Sequence, residues 1–140
     1  MKLWRGLSVL FLGFLIASCV TEPGRPGRPG GPGARGWELL GEQVADFKKE
    51  RDRIDIGRRE GRFSALRIAV KGAPLEMYDM VVTFEDGKTF SPNIRHRFAE
   101  NSWSRDIDLP GDRRAIRNVT FTYRSTDRRD GRATVMLYGR

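Results

Sequence analysis

The sequence predicts an all-β protein: a single antiparallel β-sandwich, or barrel-like, domain of about eight strands that follows a signal peptide and a Pro/Gly-rich linker. Apolar residues recur at every second position through most of the second half of the chain, and turn residues punctuate those runs at short intervals. Nothing in the chain reads as a crossover helix, so the strands must pair antiparallel. At 140 residues, the length suits one domain.

The chain begins with a short basic stretch, Met1–Arg5, followed by eleven mostly apolar residues from Leu7 to Ala17. A bilayer span needs about 20 apolar residues, so this run fits the core of a signal peptide instead. It ends in Ile16-Ala17-Ser18-Cys19, which resembles the bacterial lipobox. That resemblance implies cleavage before Cys19 and acylation of its thiol, with residues 1–18 removed as signal peptide. Two or three acyl chains hold a protein on a bilayer almost permanently, because each buried methylene contributes about 0.8 kcal/mol. Val20 stands where an Asp would resemble an inner-membrane retention signal, so the expected address is the outer membrane, facing the periplasm.

Residues 19–36 pair the lipid-attachment Cys19 with a linker, VTEPGRPGRPGGPGARG, that has no apolar pattern to offset the entropy of ordering. The domain is expected over residues 37–140. Trp37–Gly41 and Gln43–Phe47 open it, with Val44 expected to face inward. Glu42–Arg53 also has some helical character, but too few apolar positions, and strand is the better assignment. Arg53–Ile56 alternates. Phe63–Val70 sets Leu66, Ile68 and Val70 on one face, and Leu75–Phe84 sets Tyr78, Met80, Val82 and Phe84 on one face.

Asp86-Gly87 is a strong hairpin signal. Further strand-like runs are expected from Lys88, at Ile94–Phe98, Trp103–Leu109, Ala115–Arg124 (Val119, Phe121 and Tyr123 together) and Ala133–Tyr138. Pro110-Gly111-Asp112 and Asp130-Gly131 supply turns between the later ones.

Several segments in order carry a family likeness. They are Trp37-Glu38-Leu39-Leu40-Gly41, Asp52 to Phe63 (DRIDIGRREGRF), Ile68 to Gly72, Tyr78-Asp79-Met80 and the final Arg132-Ala133-Thr134-Val135. Together they resemble a bacterial family of secreted all-β domains of unknown function, over most of residues 37–139. The resemblance implies an envelope-facing β module and no particular activity. Ile56 and Ala73-Pro74 depart from the family pattern without threatening the fold.

Composition narrows the function. One Cys excludes an internal disulfide and any multi-Cys metal site, and one His excludes a His-rich centre. No metal or other cofactor is expected. Lys and Arg total 26 against 18 Asp and Glu, and losing Lys2 and Arg5 with the leader takes the net charge from +8 to +6. An exported, lipid-anchored chain is not expected to meet nucleic acid, and the aromatics fall at strand-core spacing rather than as a stacking series. The surplus of arginine points instead to an anionic partner, such as an envelope protein or an acidic cell-wall component.

Gly57–Phe63 (GRREGRF) is the most unusual segment. Arg58, Arg59 and Arg62 between glycines are the candidate anion- or partner-binding residues, because the guanidinium fork suits bidentate oxyanion contacts. A bland alternative is a tight connection with Phe63 plugging the core. His96, flanked by Arg95 and Arg97, is expected on a surface or edge strand. Asp52 and Asp55, and Asp106, Asp108 and Asp112, fit no calcium loop and have arginines nearby. No catalytic constellation is visible, and the expected role is non-catalytic binding. A purely structural or assembly role is one alternative. A glycan hydrolase using Glu60 and Asp79 is another, and it needs two carboxylates roughly 5 to 9.5 Å apart.

Overall fold

The computed structural model describes residues 36–46, 49–126 and 132–140. The expected signal peptide, Cys19, most of the linker and the Asp130-Gly131 turn lie outside the described residues. Ten strands form two sheets: β1 (Glu38–Ala45), β2 (Lys49–Asp55), β3 (Ala65–Lys71), β4 (Leu75–Phe84), β5 (Thr89–Phe90), β6 (His96–Phe98), β7 (Ser102–Trp103), β8 (Ile107–Asp108), β9 (Ile116–Ser125) and β10 (Ala133–Gly139). The first sheet runs β1-β10-β3, with β7 and β8 both on the free side of β3. The second runs β2-β9-β4, with β5 and β6 both on β4. Every pairing is antiparallel. The sheets face each other without closing, so the architecture is a sandwich rather than a barrel.

Period-two patterning explains the core. Leu66, Ile68 and Val70 from β3, Met80, Val82 and Phe84 from β4, and Val119, Phe121 and Tyr123 from β9 all turn inward and are buried. Each such side chain contributes about 1.5–3 kcal/mol through burial. Phe63 joins this core at 4% exposure. The Glu42–Arg53 stretch is strand at Glu42–Ala45 and Lys49–Arg53, and Phe47 falls outside the described residues. Consecutive β1 and β2 do not pair with each other. The chain crosses from one sheet to the other between them, so β1 pairs β10 while β2 pairs β9. Asp86-Gly87 does turn a hairpin: Thr83 pairs Thr89, and Gly87, at φ +84°, takes the left-handed position of a three-residue loop.

Local irregularities overturn three expectations. Val44 does not face inward and is 50% exposed. A register shift between Leu39 and Gly41 inserts Leu40 as an extra core residue, after which Ala45 is the inward position and Val44 the outward one. A second shift between Met77 and Asp79 does the same to Tyr78. Tyr78 therefore leaves the face of Met80, Val82 and Phe84 and lies half-exposed on the outer surface. Trp37 and Trp103 belong to a small cluster on the outside of the first sheet, with Ala69, Met136 and Tyr138, rather than to the inter-sheet core. The Trp103–Leu109 run also splits into β7 and β8, which both lean on β3.

Candidate anion-binding cleft

The GRREGRF segment connects β2 to β3 as a single 3₁₀ turn, Arg58–Glu60, set between Gly57 at φ +79° and Gly61 at φ +102°. Both glycines hold left-handed backbone that an L side chain resists, which lets so short a link reverse the chain. Backbone hydrogen bonds pin the segment at both ends to β9 and the residues just before it. The Ile56 N–H donates to the Arg117 carbonyl at 3.0 Å, and Phe63 and Arg114 exchange N–H···O=C bonds at 2.9 Å. Arg58 and Arg62 are thereby set beside Arg113, Arg114 and Arg117.

A cavity of about 460 Å³ lies here, lined by Arg58, Arg62, Phe84, Glu85, Asp86, Arg114 and Ala115. Arg114 is its most fixed wall. The guanidinium lies 3.5 Å from the Phe84 ring centroid and pairs with Asp86 at 2.8 Å. The Lys88 backbone N–H, donating at 3.0 Å, holds the Asp86 carboxyl below the ordinary carboxylate range against a smaller opposing effect of burial, and Arg114 adds to the lowering. Asp86 is therefore charged at neutral pH and keeps Arg114 in place. Glu85 receives Arg58 at 3.2 Å and Arg117 at 3.9 Å. The Arg58 side chain is 79% exposed, so this pair contributes at most about 1 kcal/mol and leaves the guanidinium free to re-aim. Arg113 fixes the loop by donating twice to the Arg62 carbonyl, at 3.1 and 2.9 Å. Three guanidiniums against two carboxylates leave the lining with a net positive charge.

Of the three arginines singled out in the sequence, Arg58 and Arg62 meet at this cavity, while Arg59 is exposed and is not part of its lining. Arg114 and Phe84 were missed. The Arg113-Arg114 pair after the Pro110-Gly111-Asp112 turn is the signal that could have flagged one of them. The carboxylates named for other chemistry are dispersed. Asp79 is exposed on β4, and its Oδ1 accepts from the Met80 N–H and the Ser91 hydroxyl. Asp79 stands five residues of strand, about 17 Å, from the Phe84 end of β4 that meets the Glu60 turn, too far for a glycosidase pair. Asp52 accepts the Tyr123 hydroxyl, Asp55 pairs with Arg53 at 3.0 Å, and Asp106 pairs with Arg67 and Arg140. Among the described residues no group of three or more His, Cys, Asp or Glu side chains could hold a metal ion. His96 is exposed on β6, opposite Met77, and its ring meets that of Phe98 edge-on at 4.8 Å.

A two-sheet antiparallel sandwich with an arginine-lined cleft at one end defines a small all-β module. The chain belongs to the family described as Domain of unknown function (DUF2541), whose model matches residues 8–139 and so reaches back beyond the strands into the apolar N-terminal run. No curated protein matches it. Among solved structures the chain is similar to the Tobacco streak virus coat protein, at 17% identity and a TM-score of 0.36, over 74% of this chain and 85% of that one.

Proposed function

We propose that the protein is an exported envelope lipoprotein, anchored in the outer membrane through an acylated Cys19, whose sandwich is a non-catalytic binding module. Its site is the arginine-lined cleft, and its partner is acidic, either an acidic cell-wall component or an acidic surface of another envelope protein. The observation that carries the reading is the cleft itself. Arg58, Arg62 and Arg114 converge on one cavity from segments far apart in sequence, and one of them is barely engaged. A loop serving only as a connection has no need to gather cations over an apolar ring.

The test is co-sedimentation of the full chain with purified cell-wall sacculi, beside the Arg58→Ala/Arg59→Ala/Arg62→Ala variant. The expected result is at least a tenfold weaker association with an unchanged melting temperature, since charge-assisted hydrogen bonds are worth about 1.5–3 kcal/mol each. Undiminished association by a folded variant refutes the cleft and turns attention to an assembly role. Loss of fold shows that the loop is structural.

A further inference from the structure

We infer that the outer face of the second sheet, at the end opposite the cleft, is a docking surface for anionic lipid headgroups. The inference takes its lipid from the proposed envelope address and is independent of the cleft.

Alternation along β2 sets the geometry. Ile54 is buried, so Glu50 and Asp52 turn to the same side, while Lys49, Arg51 and Arg53 turn outward and are exposed. They stand two residues apart, about 6.8 Å. Across the ladder Lys49 faces Arg124, Arg51 faces Thr122 and Arg53 faces Thr120. Like charges directly opposed on neighbouring strands destabilise a sheet, so the Lys49–Arg124 pairing is a standing cost. The row continues across the face through Tyr78, whose ring carries the Lys49 ammonium at 5.3 Å and the Arg95 guanidinium at 5.6 Å.

The acidic groups of this face are committed elsewhere. Glu76 faces Arg124 from β4, but it receives Arg97 at 3.5 Å and accepts the Tyr78 hydroxyl at 3.1 Å. Asp55 holds Arg53 at 3.0 Å, and Asp79 is bonded to Met80 and Ser91. Among the described residues Lys49, Arg51, Arg95 and Arg124 have no carboxylate within ion-pair distance.

Protection of an edge accounts for charge on β2, because charged side chains deter edge-to-edge pairing. It does not account for Arg124, which lies on β9, an interior strand with partners on both sides. An external layer of negative charge does account for it, by neutralising both members of the opposed pair together. The surface between these cations carries the half-buried Thr120 and Thr122. A basic sheet face matches a layer of phosphates, whose mobile headgroups can gather beneath four separated cations.

The experiment is co-sedimentation of the full chain carrying Cys19→Ala, which has no acylated Cys. The vesicles are phosphatidylethanolamine mixed with phosphatidylglycerol, with phosphatidylcholine vesicles as the neutral control. Any insertion by the apolar N-terminal run is common to every variant and both vesicle types. The expected result is preferential binding to the anionic vesicles. Lys49→Gln/Arg51→Gln/Arg124→Gln should weaken it by about 100-fold, the effect of three surface cations, and Arg58→Ala/Arg62→Ala should leave it unchanged. Lys49→Glu gives Arg124 an opposite charge, so it should weaken vesicle binding while raising the melting temperature, which separates lost docking from lost fold. Equal binding of the Gln variant, or equal loss in the cleft variant, overturns the inference. So does displacement from anionic vesicles by soluble polyphosphate at the same phosphate concentration, which points to a polyanionic chain instead of a bilayer. The sacculus experiment reads a different end of the molecule, so either result can fail alone.

Discussion

Replacing Gly41 by alanine tests how closely the two sheets approach. Gly41 lies in β1 and is not among the residues with left-handed backbone, so an alanine fits its conformation. On backbone entropy alone the change should stabilise the protein by about 0.4–1 kcal/mol. Packing opposes it. A Cβ at position 41 would lie 2.4 Å from Ile54 Cγ2, on the opposite sheet. Ile54 is 4% exposed, and its Cγ2 sits on the branch carbon, so it cannot move away without changing χ1. Overpacking of this kind costs about 1–3 kcal/mol, which outweighs the entropic gain. The expected net loss is about 1–2 kcal/mol, seen as a melting temperature lower by about 4–8 °C per kcal/mol for a domain of this size.

The assay is thermal unfolding followed by circular dichroism for Gly41→Ala, Ile54→Ala and the double variant. Ile54→Ala alone should cost about 2–5 kcal/mol. In the double variant the new methyl enters space that Cγ2 has vacated, so the combined loss should fall short of the sum by at least about 1 kcal/mol. A higher melting temperature for Gly41→Ala, or strict additivity, would refute the close inter-sheet contact.

Two further outcomes follow from single residues. Burial first, and then the Asp52 carboxylate that accepts its hydroxyl, push the Tyr123 phenol well above its ordinary value; burial, then Glu42, raise Tyr138 as well. A raised folded-state value means that the unfolded chain releases these protons first, so their stability is intact below about pH 10 and is lost as the pH rises beyond it, by up to about 1.4 kcal/mol per pH unit for each group. Tyr123→Phe should therefore show a shallower fall in melting temperature above that pH than the parent, and parallel curves would sink this account. The intact mass of protein purified from membranes should correspond to loss of residues 1–18 plus acyl chains, and Cys19→Ala should lack them. A cleaved but unmodified chain would instead make the domain a soluble secreted one.

Legibility in the sequence varied with the physical distance a signal had to cover. Leu66, Ile68 and Val70, or Val119, Phe121 and Tyr123, are unbroken alternations, and each can be read within its own strand. The bulges at Leu40 and Tyr78 could not be read, because the preceding residues, Leu39 and Met77, are apolar too and either parity looks plausible. One extra residue then exchanged the faces of Val44 and Tyr78. The outer position of Trp37 and Trp103 was hidden for a similar reason: a large aromatic fits a core or a covered outer face equally well. Half of the cleft was legible, because three arginines between glycines form a local anomaly. Arg114 and Phe84 were not, since long-range pairings bring them there, Arg114 opposite Phe63 and Phe84 opposite Ile116 on β9. The cations of β2 were in plain view within Glu42–Arg53, but a stretch that fits two periodicities does not reveal which side chains share a face.

The net charge of +8 could in principle serve solubility alone. Charge kept for solubility acts through its total, so any arginine could be exchanged for another at a distant site, and none would be held where it costs stability. The molecule departs from this in two places. Arg114 is only 23% exposed and is fixed between Phe84 and Asp86 in the wall of a cavity. Arg124, on the interior strand β9, faces Glu76 on one side but the like-charged Lys49 of the edge strand β2 on the other, a repulsion that a neutral residue would avoid. The two places are separated by the length of β4, ten residues or about 30 Å, so each can be neutralised without touching the other. If solubility is the whole role, Lys49→Glu and Arg114→Gln should change binding in neither assay. If position matters, each should weaken one interaction and spare the other.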